Sequence, residues 1–209
     1  MITYPITLPF STRGARRIAI KPEVVASAEV SPFSLIENMQ VGTGQRWSAQ
    51  IDLPAMKRTT GAPEWLAALV SLNGPQGTFY LGDTANKVPR GVATGTPLVN
   101  GAGQTGYDLN TKGWTAGVTN IMRAGDWVQV GTLSNARLHM VMKDANSDGS
   151  GNATLTLWPK LRYSPADNLA LTVNSAVGVF RLASAISWDI DHTKLVQGLS
   201  FSAVEALNP

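Results

Sequence analysis

Apolar and polar residues alternate at many places along the chain, which is the pattern of strands with one buried face. The clearest run is residues 47–53, where Trp47, Ala49 and Ile51 fall on one face and polar residues fall on the other. Weaker runs of the same kind lie at 17–21, 33–40, 78–81, 127–130, 138–142, 153–158, 177–182, 186–190 and 199–204. Short strands bounded by turn residues are typical of sandwiches and barrels.

One segment instead has helical spacing. Pro63 suits a first helical turn, and Trp65, Leu69 and Leu72 lie on one helical face. Asn-Gly at 73–74 provides a stop signal, so the sequence predicts a single helix over about 63–73.

The middle of the chain has a different character. Residues 84–125 are rich in Gly, Thr and Asn and have poor periodicity, which predicts long loops with short strands. The last segment, 186–207, alternates again and could return to the first sheet. We therefore predict a mainly β protein with one β domain formed by 1–87 and 185–209, and a second β domain with long loops, 88–184, inserted into it.

Composition narrows the classes of protein. The 209 residues are 44% hydrophobic and only 15% charged, with a net charge of +3, which favours a folded chain over a disordered one. Cysteine is absent, so disulfides, thiolate nucleophiles and Cys-ligated zinc are excluded. The basic residues that cluster have no interleaved aromatic residues and are best explained as solvated loops, which predicts no specific nucleic-acid recognition: Arg13, Arg16, Arg17, Lys57 and Arg58.

The first ten residues contain two prolines and no early positive charge, unlike a signal peptide. No stretch approaches the ~20 apolar residues of a membrane span. We expect a protein that is made and folded in a cytoplasm.

Residues 101–106 fit the dinucleotide-binding pattern G-x-G-x-x-G, with glycines at 101, 103 and 106. That pattern binds a pyrophosphate only at a turn from a strand into a helix. No helical periodicity follows Gly106, so a flexible loop between strands is the favoured interpretation.

Residues 144–149 resemble the start of a calcium-binding loop, with Asp144, Asn146 and Asp148 at alternate positions and Gly149 sixth. The twelfth position is Leu155, where a bidentate glutamate is expected. A hairpin turn without metal is favoured over an adventitious calcium site.

Asp189, Asp191 and His192 lie near each other at a strand end, and the two carboxylates fall on one face. A metal could use this arrangement, but solvated charges explain it equally well. The second histidine, His139, lies in a separate strand, and no G-x-S-x-G motif occurs. We predict no catalytic, cofactor or metal site and no enzyme; hydrolytic activity that depends on Asp189 or His192 would argue otherwise.

The tryptophans are spread through the predicted strands and the helix, at 47, 65, 114, 127, 158 and 188. Scattered indoles usually anchor cores or interfaces, and core packing is the favoured interpretation. A sugar-binding platform is the alternative, and it requires several of them to converge on one surface.

A family resemblance is carried by four runs: Arg-Ala-Gly-Asp-Trp-Val-Gln-Val-Gly at 123–131, Leu-His-Met-Val at 138–141, Asp-Gly-Ser-Gly-Asn-Ala-Thr-Leu at 148–155 and Leu-Trp-Pro-Lys-Leu-Arg at 157–162. The ending is similar too, with 178–184, Trp188 and 201–207. Over roughly residues 40–207 the chain resembles minor tail proteins of long-tailed (siphovirus-type) bacteriophages and prophages, a group that includes the distal tail proteins.

The resemblance implies a ring-forming domain related to the tail-tube fold, a β-barrel or sandwich with one helix, followed or interrupted by a second β domain. It further implies a homohexameric ring in the virion that joins the tail tube to the hub, tail-tip and fibre proteins around the tape measure protein. A module that binds carbohydrate or a host receptor is the alternative function. In a ring, we expect an arm at 84–113 to order only against a neighbouring protein.

Overall fold

The computed structural model describes residues 2–192 and 195–208. Its elements follow one another in the order β1 (Ile6–Thr7), β2 (Arg17–Val30), β3 (Glu37–Asp52), β4 (Met56–Lys57), α1 (Ala62–Ser71), β5 (Thr78–Gly82), β6 (Gly95–Val99), β7 (Gly106–Trp114), β8 (Trp127–Val130), β9 (Arg137–Val141), β10 (Ala153–Leu161), β11 (Leu171–Thr172), β12 (Val177–Leu182), β13 (Ser187–Ile190) and β14 (Leu195–Glu205). The prediction of a mainly β protein with one helix is confirmed.

The strands within the described ranges form two sheets. The larger has the order β1-β5-β12-β14-β3-β2, and β4 and β13 also pair with β14. The smaller has the order β11-β8-β9-β10-β7-β6. The chain thus leaves the larger sheet after β5, builds the smaller sheet, and returns at β12.

One face of the larger sheet is covered by the helix. Trp65 and Leu69 of α1 are fully buried against strand residues such as Phe79 and Phe201. The predicted face of the helix is the buried one. The helix begins after Gly61, whose φ of 86° is a left-handed conformation that glycine adopts without strain.

The smaller sheet curls into a nearly closed barrel. Its first and last strands approach each other through an isolated bridge between Leu98 and Ala170, and the Val99 amide donates to the Leu169 carbonyl at 2.9 Å. Alternate residues of β10 point into the barrel, where Leu155 and Leu157 are fully buried. The barrel therefore has an apolar interior of its own, separate from the core under the helix.

The structure corrects two predictions, the free arm at 84–113 and the start of the strand at 33–40. The segment 84–113 is not a free arm, since β6 and the nine-residue β7 lie inside the smaller sheet. Strand β12, which lies within the predicted insertion 88–184, pairs with β5 and β14 of the larger sheet. The strand predicted at 33–40 begins only at Glu37, after a turn. Within the described ranges, no helix is long and apolar enough to cross a membrane.

Candidate assembly surface

Strands β2 and β3 continue as a two-stranded hairpin past the point where β3 stops pairing with β14. Strands β2 and β3 pair from Arg17 opposite Asp52 to Val30 opposite Glu37. Near the sheet they cover the core, but residues 26–41 contain no buried residue and only Ser31 is half-buried. We call this exposed β-hairpin, residues 26–41, the arm.

The arm has two chemically different faces. Residues that are directly opposite each other in the two strands share a face. Ala26 pairs with Val41 and Ala28 with Met39, which gives one face an apolar row. The pairs between them, Ser27 with Gln40 and Glu29 with Asn38, are polar and lie on the other face. Such alternation is typical of a sheet whose apolar face is covered by protein. In the arm, no described residue covers the apolar face.

The tip of the arm adds to the apolar surface. Phe33, Leu35 and Ile36 are 98%, 77% and 70% exposed. The turn that carries them is fixed by the Leu35 amide, which donates to the Ser31 carbonyl at 2.9 Å. Burying apolar surface contributes roughly 25 cal/mol of free energy per Å², and these exposed side chains forgo that stabilisation in the isolated chain. A defined turn that presents three large apolar side chains is typical of a protein contact surface.

At the base of the arm the ladder has a bulge between Val24 and Ala26. Three residues of β3, Gly42, Thr43 and Gly44, lie here against the single residue Val25. A Cβ atom on Gly42 would lie only 2.8 Å from Val25 Cγ1, so any larger residue at this position would have to displace the Val25 side chain. Bulges bend a strand and increase its twist, which sets the direction in which the arm leaves the sheet.

Strand β3 is hydrogen-bonded to the barrel through Gln45, directly beside the bulge. The Gln45 side chain accepts a hydrogen bond from the Lys160 amide at 3.0 Å and donates one to the Tyr107 hydroxyl at 2.8 Å. The Gln45 carbonyl accepts two further bonds from the Arg162 guanidinium. The arm therefore projects from a point that both sheets hold in place.

The two sheets meet at a buried ion pair. Arg162 donates to both carboxylate oxygens of Glu205, at 3.2 and 2.6 Å, and the Glu205 side chain is fully buried. The Trp47 amide donates to the same carboxylate at 3.2 Å. Burial raises the pKa of the Glu205 carboxyl, and the attraction of Arg162 offsets part of that effect.

Three tryptophans converge beside this pair. The ring of Trp47 lies 5.1 Å from that of Trp127 and 4.3 Å from that of Trp158, both in edge-to-face geometry. Trp47 is buried and the other two are half-buried. All six tryptophans belong to or pack against a core or, like Trp114, lie inside the barrel, so the prediction of core packing is confirmed.

A cavity of about 560 Å³ lies at the end of the barrel nearest this junction. Its wall includes Arg137 and His139, which alternate along β9 with the buried Leu138 and the half-buried Met140. His139 is almost completely buried, and its Nδ1 lies 2.7 Å from the Pro159 carbonyl. Burial lowers the pKa of His139 to about 4, so the ring is neutral at pH 7. We call this cavity the barrel mouth.

The glycine-rich run at 101–106 connects β6 to β7. No helix follows it, and the Gly101 amide donates to the Asp167 carboxylate at 2.7 Å. The geometry is that of a loop between strands, in agreement with the favoured interpretation.

The oxygens of the calcium-like run are already occupied by backbone amides. Asp144 accepts from Ala124, and Asn146 accepts from Asn120. Asp148 accepts from the amides of Ser150 and Asn152 at 2.8 Å, and these bonds, led by Asn152, lower the pKa of its carboxyl. The run organises turns, as the hairpin interpretation predicts.

Asp189 pairs with Gln197 in the ladder, and His192 lies outside the strand with its side chain 92% exposed. His192 Nδ1 contacts an Asp191 oxygen at 2.6 Å. Over residues 2–192 and 195–208, no group of three acidic or histidine side chains could hold a metal ion.

The arm and the barrel mouth were not predicted as sites. The alternation of 26–30 and 37–41 was the available signal for the arm, and no sequence signal distinguishes Arg137 and His139 from other strand residues. No protein-family model matches the sequence, and no curated protein matches it.

Proposed function

We propose that this chain is a structural subunit of a bacteriophage tail, not an enzyme, and that it assembles with copies of itself into a hexameric ring at the distal end of the tail tube. In this role the ring connects the tube to the hub, tail-tip and fibre proteins of the virion. The proposal rests on the resemblance of residues 40–207 to tail proteins and on a mainly β fold with one helix.

The arm is the observation that carries the assembly part of the proposal. Its apolar row, Ala26, Ala28, Met39 and Val41, and its apolar tip are exposed in the isolated chain. Exposed apolar surfaces of this kind mark sites of protein–protein contact. A second copy of the chain is the occupant that we propose, because head-to-tail contacts between identical subunits close into rings.

The free edges of the larger sheet support the same arrangement. Strand β2 forms one edge over its full length, and the two-residue β1 covers only part of β5 at the other. Edges with unpaired backbone groups are usually protected in soluble proteins. In a ring, the β2 edge and arm of one subunit would lie against the opposite side of the next.

Two matched single substitutions test this use of the arm. Met39→Lys places a charge on the apolar face, whereas Gln40→Lys places the same charge on the polar face one residue away. We expect Met39→Lys to abolish the rings seen by light scattering and negative-stain microscopy, and Gln40→Lys to leave them intact. Both residues are exposed, so neither change should alter the thermal midpoint of the monomer appreciably.

A wild-type protein that stays monomeric at every concentration, and also in the presence of tail-tube protein, would contradict the ring. Rings that tolerate Met39→Lys would remove the arm from the contact while leaving the ring itself in place. Specific, saturable binding to cell-wall sugars by a monomer would favour the carbohydrate-binding alternative.

A further inference from the structure

The barrel mouth differs chemically from the rest of the barrel interior. Arg137 and His139 are two residues apart on β9, so both point inward, roughly 7 Å apart along the strand. The next inward residue, Val141, is fully buried among aliphatic side chains. The apolar filling thus stops at one end and is replaced by a cation and an imidazole around an open cavity of about 560 Å³.

Arg137 has unused capacity for an anion. Its guanidinium donates to the carbonyls of Ser134, Ala136 and Leu207 at 3.2–3.3 Å, and to no carboxylate among the described residues. Glu205 attracts it through space, but the Glu205 oxygens accept from Arg162 and Trp47. Two cations thus share one acid here, and burial lowers the pKa of the Arg137 guanidinium. A bound carboxylate would supply the missing counter-charge.

His139 offers a hydrogen-bond acceptor, whereas Arg137 offers donors. A carbonyl only accepts hydrogen bonds, so the contact with Pro159 places the hydrogen on Nδ1 and the lone pair on Nε2. Nε2 makes no hydrogen bond to any residue that the structure describes. A ligand would therefore need a donor for His139 as well as a carboxylate for Arg137.

The remaining wall is mixed: Val130, Leu161 and Leu169 are apolar, and Arg162, which pairs with Glu205, also lines the cavity. The rim is polar, and the Tyr163 hydroxyl donates to the Asn208 side chain at 3.2 Å across it. Cavities of this size, apolar with a few converging polar groups, are the usual form of ligand sites, and barrel mouths are a common place for them.

We propose that the barrel mouth binds an acidic segment of another polypeptide, with one carboxylate on Arg137, a backbone N–H donating to His139, and a neighbouring aliphatic side chain against Leu161. A short peptide segment combines all three groups in one ligand. The assignment does not depend on ring formation, since the cavity lies within one subunit.

Binding of short capped peptides to the unmodified protein tests the proposal without relying on a variant that folds. The probes are acetyl-Leu-Asp-Leu-amide, its asparagine analogue, and hexanoate, with affinity measured by calorimetry and the site located by ¹⁵N shifts of Arg137 Nε and His139 Nε2. We expect saturable binding of the aspartate peptide that shifts both nitrogens, and affinities at least about tenfold weaker for the asparagine peptide.

Arg137→Gln should reduce the affinity for the aspartate peptide by a similar factor, while Arg58→Gln, at an exposed arginine outside the barrel, should not change it. Equal affinity for the two peptides, an unchanged affinity of Arg137→Gln, or the absence of saturable shifts would overturn the site. Hexanoate that binds as tightly as the peptide would overturn the assignment to a polypeptide segment. None of these results bears on whether rings form.

Discussion

His139 should make the protein less stable as the pH falls below neutrality. Its pKa in the folded protein is about 4, because burial disfavours the charged ring, whereas an unfolded histidine titrates near 6.5. Since the folded pKa is depressed, the unfolded chain takes up a proton first, and stability is lost progressively between about pH 6.5 and pH 4. A difference of 2.5 between the two pKa values corresponds to roughly 3 kcal/mol.

The change that isolates this contribution is His139→Gln, which removes the titration while its amide can still donate to the Pro159 carbonyl. The assay is urea unfolding at pH 7, 6, 5 and 4, followed by circular dichroism and tryptophan fluorescence. The variant should be less stable at pH 7, and the gap to wild type should narrow by about 3 kcal/mol towards pH 4.

Other groups titrate in the same window, but they are common to both proteins. Glu205 acts in the opposite direction, because its raised pKa makes the folded state bind a proton more readily as the pH falls. The difference between the two profiles therefore reports His139. Profiles that run parallel from pH 7 to pH 4 would refute the assignment of a buried, neutral imidazole.

Three further outcomes follow from the junction and the turns. Arg162→Met should lower the free energy of unfolding by about 3–5 kcal/mol, because it leaves the buried Glu205 carboxylate without its cation. Adding Glu205→Leu to this variant should restore most of the lost stability. Arg58→Met, at an exposed site, is the control and should leave the free energy of unfolding nearly unchanged. Trp47→Ala should cost about 3–5 kcal/mol in urea unfolding, since it removes a buried ring packed on two others; stability within about 0.5 kcal/mol of wild type would contradict that packing. Millimolar calcium should leave the thermal midpoint unchanged, because backbone amides occupy the Asp148 oxygen; a midpoint that rises with calcium would show that the turn opens to bind metal.

Periodicity predicted most of the fold because most strands have one face on a core. The strand at 47–53 and the helix face of Trp65 follow directly from where apolar side chains recur. Strand β7 was not predicted, because its buried positions include a polar residue, Thr111. The Thr111 hydroxyl donates to the Ala153 carbonyl at 2.7 Å inside the barrel. A polar residue satisfied in this way leaves no apolar signal.

The candidate surfaces were harder to predict for a different reason. The alternation in 37–41 has the same period whether the apolar face is covered by this chain or by another, so the sequence could not identify the exposed arm. Arg137 and His139 also alternate with Leu138 and Met140 as solvent-facing residues would. Only the curvature of the sheet shows that their side of β9 is the inside of a barrel.

The place where the barrel joins the larger sheet has a consequence for engineering the molecule. Gly82, the last residue before the excursion, is the ladder partner of Val177, the first after it, so about 5 Å separates the two ends. Backbone geometry alone would let a two-residue turn replace the whole segment. Side chains oppose it, because excision would uncover Trp47 and strip Glu205 of its cation. The backbone would thus allow the barrel to be deleted or exchanged, but the side-chain contacts would not. A replacement domain would need an arginine in place of Arg162 and aromatic residues in place of Trp127 and Trp158.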